Sequence, residues 1–444
     1  MSTTSAAASP WAPPLPSLRR AAPVLPVVAL IALIGLPYMS DGLVTPADAA
    51  SGLVVLWAVV RTVRRARRPL TRTAVVVLGL PVIGVAVAAT GASSAGAGLV
   101  GFARYLQVCV LVPVAVLVLL RDRRDVRLVA WSMIGLAVWE GAVGVHQYMT
   151  GTGALYDGVY VRAVGTFGPT EVMAMAMVVA SGVVAATGLA LGAPTRRERI
   201  VATVLALALL LPLTVSFSRG SWIATVAACG AQLLLAGVRR AMKVFAAAAA
   251  AAVVLVGGFG VGTSMLQERL ASISHVTDAP DQSVVDRYSL WSAAVGMWRE
   301  KPLTGVGLRD FPEYRDGHAP LAMNSASDTD GAGHGYYREP FLSPHNMYLE
   351  ILSEQGLLGV VTVGGSWLAL LVCALMRTRR ARPRPDCAII ACGLLLWHLV
   401  DFLYGDIGGS ATVLIGVKFG LVAWWALGHD APDGRAPLPE ASPR

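Results

Sequence analysis

What most constrains this chain is a recurrence: apolar runs of membrane-crossing length follow one another with little between them. They fall at 24–40, 43–60, 73–90, 99–120, 128–149, 170–192, 200–217, 221–238, 244–262, 346–376, 387–404 and 410–428. The hydrocarbon core of a bilayer takes roughly 20 residues of helix, and lipid offers no partner to a backbone that is not helical or in a closed barrel. Runs of this length predict helices. Composition agrees, because 55% of the 444 residues are hydrophobic and 14% are charged, too few charges to cover a soluble body of that size. The expected fold is all-α: a polytopic membrane protein with twelve transmembrane helices and one long exterior loop.

The net charge of +9 invites a nucleic-acid reading, but the positions of the charges oppose it. Basic residues gather in short loops between apolar runs: Arg61 to Arg72, Arg121 to Arg127, Arg196 to Arg199, Arg239 to Lys243 and Arg377 to Arg384. Threading the spans from a cytoplasmic N-terminus puts every one of these clusters on the cytoplasmic side, as the positive-inside rule requires. No basic patch is interleaved with aromatics, so nucleic acid is excluded as a partner. The expected partner is the lipid bilayer, with both termini cytoplasmic.

Five segments follow. Residues 1–22 form a disordered cytoplasmic N-terminus, 23–262 hold helices one to nine, and 263–345 form the exterior loop with an amphipathic helix. Residues 346–428 hold helices ten to twelve, and 429–444 form a cytoplasmic tail. Arg19-Arg20, an apolar stretch and Ala47-Asp48-Ala49 also fit a cleavable signal peptide; an uncleaved first helix is the favoured reading. Seven alanines at 246–252 need no function, since small residues let helices approach closely in lipid. The five cysteines all lie in or beside apolar runs and read as packing.

Three short stretches carry residues suited to chemistry. In Ser343-Pro344-His345-Asn346, serine then proline reads as a helix start, with Ser343 as N-cap and His345 on the first turn. An imidazole there is suited to take a proton from a hydroxyl, or only to hydrogen-bond at the interface. In Ser218-Arg219-Gly220-Ser221-Trp222, a guanidinium at the exterior membrane edge suits a diphosphate, or simply snorkels. Asp286-Arg287-Tyr288 opens an amphipathic pattern that reads as a helix along the outer leaflet. There Arg287 either faces an anion beside free backbone N–H groups or pairs with Asp286 at the surface.

Together these stretches resemble the O-antigen ligase family, the Wzy_C-like ligases and polymerases. The matching residues are Arg287, Trp291, Pro302, Gly305, Gly307 and Phe311, then His345-Asn346, nine residues, and Gly356-Leu357-Leu358-Gly359. Ser218-Arg219-Gly220 resembles the family's arginine corner, and Arg162 to Pro169 its preceding exterior loop, so the likeness covers about 160–360. Two departures stand out: Thr170-Glu171 where the family often has Asn, and extra residues at about 316–340.

The resemblance implies a GT-C-like, metal-independent glycosyltransferase that uses no cofactor. Its active site would lie on the exterior face of the cell membrane. The implied donor is a glycan on undecaprenyl diphosphate, and the implied acceptor is a glycan or glycolipid. Carried over, His345 activates the acceptor hydroxyl, while Arg219 and Arg287 hold the diphosphate. Arg162, Asn346 and Arg104 are the candidate substrate-binding residues.

Other polar residues read more plainly. His318, His334, Asp328 and Asp330 match no metal signature. Glu350 and Glu354 fit helix–helix hydrogen bonding, and Asp401 and Asp406 read as interfacial polar groups. Arg104 and Lys418 face a cavity or the interface, and Trp424-Trp425 resembles an aromatic belt. A multi-span transporter or flippase for a lipid-linked glycan is the alternative, but matched halves with broken helices are not evident.

Overall fold

A computed structural model describes residues 22–37, 45–65, 70–156, 159–169, 171–239, 242, 282–320, 341–381 and 386–428. In chain order the helices are α1 (Leu25–Ile34), α2 (Pro46–Arg65), α3 (Arg72–Thr90) and α4 (Ala95–Leu106). A π-helical turn, Gln107–Leu111, joins α4 to α5 (Val112–Leu119), and α6 (Arg123–Thr150) follows. A two-stranded antiparallel hairpin, β1 (Ala154–Tyr156) and β2 (Val159–Arg162), precedes α7 (Ala174–Gly192). Next come α8 (Arg196–Ala208), α9 (Leu210–Thr214) and α10 (Arg219–Ala236). Beyond residue 281 lie α11 (Gln282–Glu300), α12 (Phe311–His318), α13 (Met347–Gly359) and α14 (Gly365–Arg380). The last two are α15 (Asp386–Asp401) and α16 (Thr412–Leu427).

Among the described residues, six helical stretches are long and apolar enough to cross a membrane. They are Pro46–Arg64, Arg72–Thr90, Ala95–Leu119, Arg123–Thr150, Ala174–Gly192 and Met347–Arg380. Leu25–Ile34 and Thr412–Leu427 are shorter apolar helices. The expected span at 200–217 is divided at Leu209, three residues before Pro212, into α8 and α9. The span expected at 244–262, the end at 429–444 and most of the one at 1–22 lie outside the described residues.

Local sequence sets several helix ends. Asp122 caps α6 by accepting from the N–H groups of Arg124 and Asp125, and left-handed Gly151 ends it. Thr71 and Ser94 cap α3 and α4 in the same way. The centre of the bundle is α7, where Gly182 leaves room for Ala137 and Gly188 for Ile390. Gly416 and Gly420 of α16 do likewise for Val112 and Val116 of α5. The outer faces of α2 and α3 expose Leu53, Leu56, Val75 and Val76, as lipid-facing helices do.

Two expectations are corrected here. The apolar side of α11 does not turn toward lipid. Leu290, Ala294 and Met297 are fully buried against Val306 and Phe311, in a small core of their own. Trp425 is no belt residue either: its indole donates to Ala374 O at 3.2 Å and to Thr378 Oγ1 at 2.9 Å, inside the bundle.

The glycine motifs have a physical reason. Gly356 breaks α13 at φ 62° and ψ −162°, a region open in practice only to glycine. The break strands the carbonyls of Ser353 and Glu354 and the N–H groups of Leu357 and Leu358. The Pro302–Gly307 segment takes up all four. Val306 N–H donates to Ser353 O (2.9 Å) and Gly307 N–H to Glu354 O (3.1 Å). Leu357 N–H donates to Pro302 O (2.9 Å) and Leu358 N–H to Leu303 O (3.1 Å). A Cβ on Gly356 would stand 2.5 Å from the Leu303 carbonyl, and one on Gly305 2.2 Å from the Glu354 carbonyl carbon. Gly356→Val should therefore separate the two segments at a cost above about 3 kcal/mol. The expected result is a lower Tm in detergent and less protein in the membrane; an unchanged Tm would contradict the docking argument.

Candidate active site

His345, Asn346, Arg287 and the start of α10 at Arg219 pack around one loop, 402–410, between α15 and α16. Just before α13, His345 presents Nδ1 3.7 Å from Asp406 Oδ2, an ion-pair rather than hydrogen-bond separation. The Ser343 hydroxyl donates to the same carboxylate and accepts from the His345 N–H at 3.1 Å. Gly408 N–H donates to Asp406 Oδ1 at 2.8 Å. Burial works to raise the Asp406 carboxyl, but the facing imidazole, the Ser343 hydroxyl and the Gly408 N–H outweigh it and hold the group at about 2. At neutral pH an ionised carboxylate faces the imidazole.

The helix start differs from the sequence expectation. Asn346, not Ser343, is the N-cap of α13, accepting from the N–H groups of Tyr348 and Leu349, both at 3.1 Å. Its Nδ2 donates to Leu403 O at 3.2 Å, so its side chain ties α13 to the 402–410 loop. His345 stands before the helix with φ 48°, a strained setting for a non-glycine residue. Trp291 of α11 clamps this turn by donating to Pro344 O at 3.1 Å.

Tyr404 is the second meeting point. The Arg287 guanidinium carbon lies 5.9 Å from the centre of its ring. A Cβ on Gly220, beside Arg219, would stand 3.0 Å from Tyr404 Cβ, so α10 begins directly against the same residue. Arg219 is the first residue of α10, and Ser218 gives that turn no side-chain cap. The Ser218 hydroxyl donates instead to Ser221 Oγ at 3.0 Å. First-turn N–H groups and the positive end of the helix dipole thus sit beside the guanidinium, an arrangement suited to an anion. Phe217, just before this corner, also has a positive φ, 51°. Arg287 has no such backbone donors: α11 begins at Gln282, which puts Arg287 in its second turn. Asp286 is buried, so a surface ion pair does not describe it.

Arg162, on β2, donates through Nε to Ser216 O at 3.1 Å and reaches Met173 Sδ at 3.7 Å. It therefore braces the corner that presents Arg219. Arg104 lies elsewhere, with Nη1 2.5 Å from Asp48 Oδ1 and 3.2 Å from Gln107 Oε1. Glu171 accepts from Ser410 N–H (2.8 Å) and its hydroxyl (2.6 Å), pinning the far end of the 402–410 loop. Lys418 is buried in the bundle, 3.1 Å from Ser181 Oγ and 3.2 Å from His398 Nδ1. His318 has Nδ1 2.8 Å from Tyr314 O and Nε2 3.0 Å from Glu300. Of the other residues weighed for a metal, His334, Asp328 and Asp330 lie outside the described residues.

From the sequence, Asp406 reads as an interfacial polar group and Tyr404 is not singled out. A signal existed: Tyr404-Gly405-Asp406-Ile407-Gly408-Gly409-Ser410 is a polar, glycine-rich break between two apolar runs.

The fold and this site define a class: a helical membrane protein with a histidine and a carboxylate on loops at helix ends and arginines in the first two turns of neighbouring helices. Residues 202–364 match the family model described as O-antigen ligase, Wzy_C, the family that the motifs resemble. That segment holds Arg219, Arg287, His345 and Gly356; Asp406 lies beyond it. No curated protein matches the chain. The family match implies a membrane enzyme that transfers glycans.

Proposed function

We propose that this protein is a polytopic, GT-C-like glycosyltransferase of the cell membrane, with twelve spans and both termini in the cytoplasm. It moves a glycan from an undecaprenyl-diphosphate-type carrier to an acceptor hydroxyl at the exterior face, as a polymerase or a ligase. The observation that carries this reading is the gathering of the His345–Asp406 pair, Arg287 and the Arg219 corner on one loop.

Asp406 faces Nδ1 of His345 and leaves Nε2 to take the proton of the acceptor hydroxyl. The acceptor oxygen attacks the anomeric carbon, and the sugar–phosphate bond breaks with its electron pair on the diphosphate. Arg219 and Arg287 balance the charge that develops there, the term that is usually largest in such reactions. These guanidinium groups supply the positive charge, so the reading needs no metal. Arg162 and Asn346 hold the two loops in register.

Deleting the gene tests the reading, because lipid-linked glycan should then accumulate. Single repeats in place of a ladder mean a polymerase, and long chains left on the carrier mean a ligase. An unchanged lipid-linked pool would overturn the proposal.

Asp406→Asn tests the pair itself. With its folded-state pKa at about 2, Asp406 contributes stability fully present above the ordinary carboxylate range and lost as pH falls through about 2. It therefore does not titrate where the enzyme works, and the acid limb of activity belongs to another group. Removing the anion should leave the imidazolium formed on proton transfer without its facing charge and so lower the rate. Transfer at the wild-type rate would mean that Asp406 does not act on His345.

A further inference from the structure

A buried acid in α6 has no part in the chemistry above. Glu140 is fully buried in a helix long and apolar enough to cross a membrane, where an ionisable side chain is costly and its presence points to a task. Both its oxygens go to one residue of the loop before α7: Oε2 accepts from the Thr166 N–H at 2.9 Å and Oε1 from the Thr166 hydroxyl at 2.7 Å. Two turns on, half-buried Gln147 holds the neighbouring backbone. Its Oε1 accepts from the Val164 N–H (3.0 Å) and the Gly165 N–H (2.9 Å), and its Nε2 donates to Gly165 O (2.9 Å). Gly165 has φ 66°, and a Cβ there would stand 2.2 Å from Glu140 Oε2, so only glycine lets the loop lie on the carboxyl.

The same strip of chain holds the Arg219 corner on its other side. Ala163 N–H donates to Val215 O at 3.0 Å, and Arg162 Nε to Ser216 O at 3.1 Å. Arg162 Nη2 and the Ser218 hydroxyl both reach Met173 Sδ, at 3.7 and 3.5 Å. Residues 162–166 are thus fixed by α6 and in turn fix residues 215–218, up to the residue before Arg219. α6 also meets the corner directly: a Cβ on Gly141, next to Glu140, would stand 2.8 Å from Pro212 Cγ in α9. The φ of 51° at Phe217 is a setting that persists only where surrounding structure enforces it.

We propose that Glu140 and Gln147 are positioning residues for Arg219, acting through the 162–166 strip to set where its guanidinium meets the diphosphate. This rests on the function proposed above. Neither side chain touches substrate. Each holds backbone that holds the corner, and a group that stabilises developing charge loses much of its effect when it is misplaced by about 1 Å.

The test uses the full-length purified enzyme with undecaprenyl-diphosphate-linked glycan extracted from the deletion strain. Gln147→Met removes three hydrogen bonds to the strip and keeps the side-chain length, and Glu140→Leu removes the other two. Each should lower kcat by about tenfold and leave the donor KM within about twofold of wild type. Glu140→Gln should recover most of the rate, because its amide can still accept from the Thr166 N–H and donate to the Thr166 hydroxyl. Two double-mutant cycles decide. On Arg219→Ala, which leaves no guanidinium to place, Gln147→Met should cost less than about twofold; on Arg287→Ala it should still cost about tenfold. Equal losses on the two backgrounds would mean a general effect on the fold and overturn the proposal, as would a wild-type rate in Gln147→Met alone. If Glu140→Leu does not reach the membrane, the Gln147→Met cycles decide by themselves. Arg219→Ala separates the two claims: at the wild-type rate it overturns the role of that arginine in the proposed function, whereas its impairment together with equal losses in the cycles removes only the positioning claim.

Discussion

Replacing His345 with alanine should lower glycan transfer by about 10²- to 10⁴-fold, the range lost with a general base, while the protein still reaches the membrane. The side chain is 35% exposed, and the contacts that shape its turn belong to neighbours: Ser343 to Asp406, Trp291 to Pro344 and Asn346 to Leu403. Little packing is lost with the imidazole. The backbone is the complication, because φ at this position is 48° and alanine gains nothing there. Asparagine tolerates that conformation better than most residues and has no basic nitrogen. His345→Asn should therefore match or exceed the stability of the alanine variant and be equally inactive. Measured initial rates with normalised protein decide the matter, and transfer at the wild-type rate in either variant would end the assignment of His345 as base.

The sequence made some of this legible for plain reasons. Apolar runs report lipid contact directly, so a helical membrane protein follows from them, and six described helices have the length and hydropathy for it. The Gly356 motif was readable as a motif but not as a helix break, because nothing local says that Pro302–Gly307 will supply the missing hydrogen bonds. The helix start was misplaced by three residues: serine before proline is a sound helix signal, yet Asn346, three residues beyond Ser343, wins with two backbone N–H bonds. The role of Asp406 is set by a pairing 61 positions away from His345, across α13, α14 and α15, and no periodicity encodes that. The apolar stripe of α11 illustrates the same limit. A stripe says that a face is buried, and whether lipid or Phe311 covers it depends on the tertiary fold.

The second large effect belongs to the arginines. Arg219→Ala and Arg287→Ala should each lower kcat by about 10²- to 10³-fold, as loss of a donor to developing charge does. The two should differ in what rescues them. The Arg287 guanidinium carbon lies 5.9 Å from the Tyr404 ring centre, and its rigid fork suits a diphosphate as an ammonium does not, so Arg287→Lys should remain poor. Arg219 shares its position with the first-turn N–H groups of α10, which supply part of the anion field themselves, so Arg219→Lys should recover more. Tyr404→Leu, which removes the ring between Gly220 and Arg287, should weaken both assignments at once without deleting a charge. The decisive measurement is the separation of kcat from donor KM. If either alanine variant raises KM alone and leaves kcat intact, its guanidinium binds the carrier equally in ground and transition states, and the catalytic part of the argument fails for that residue.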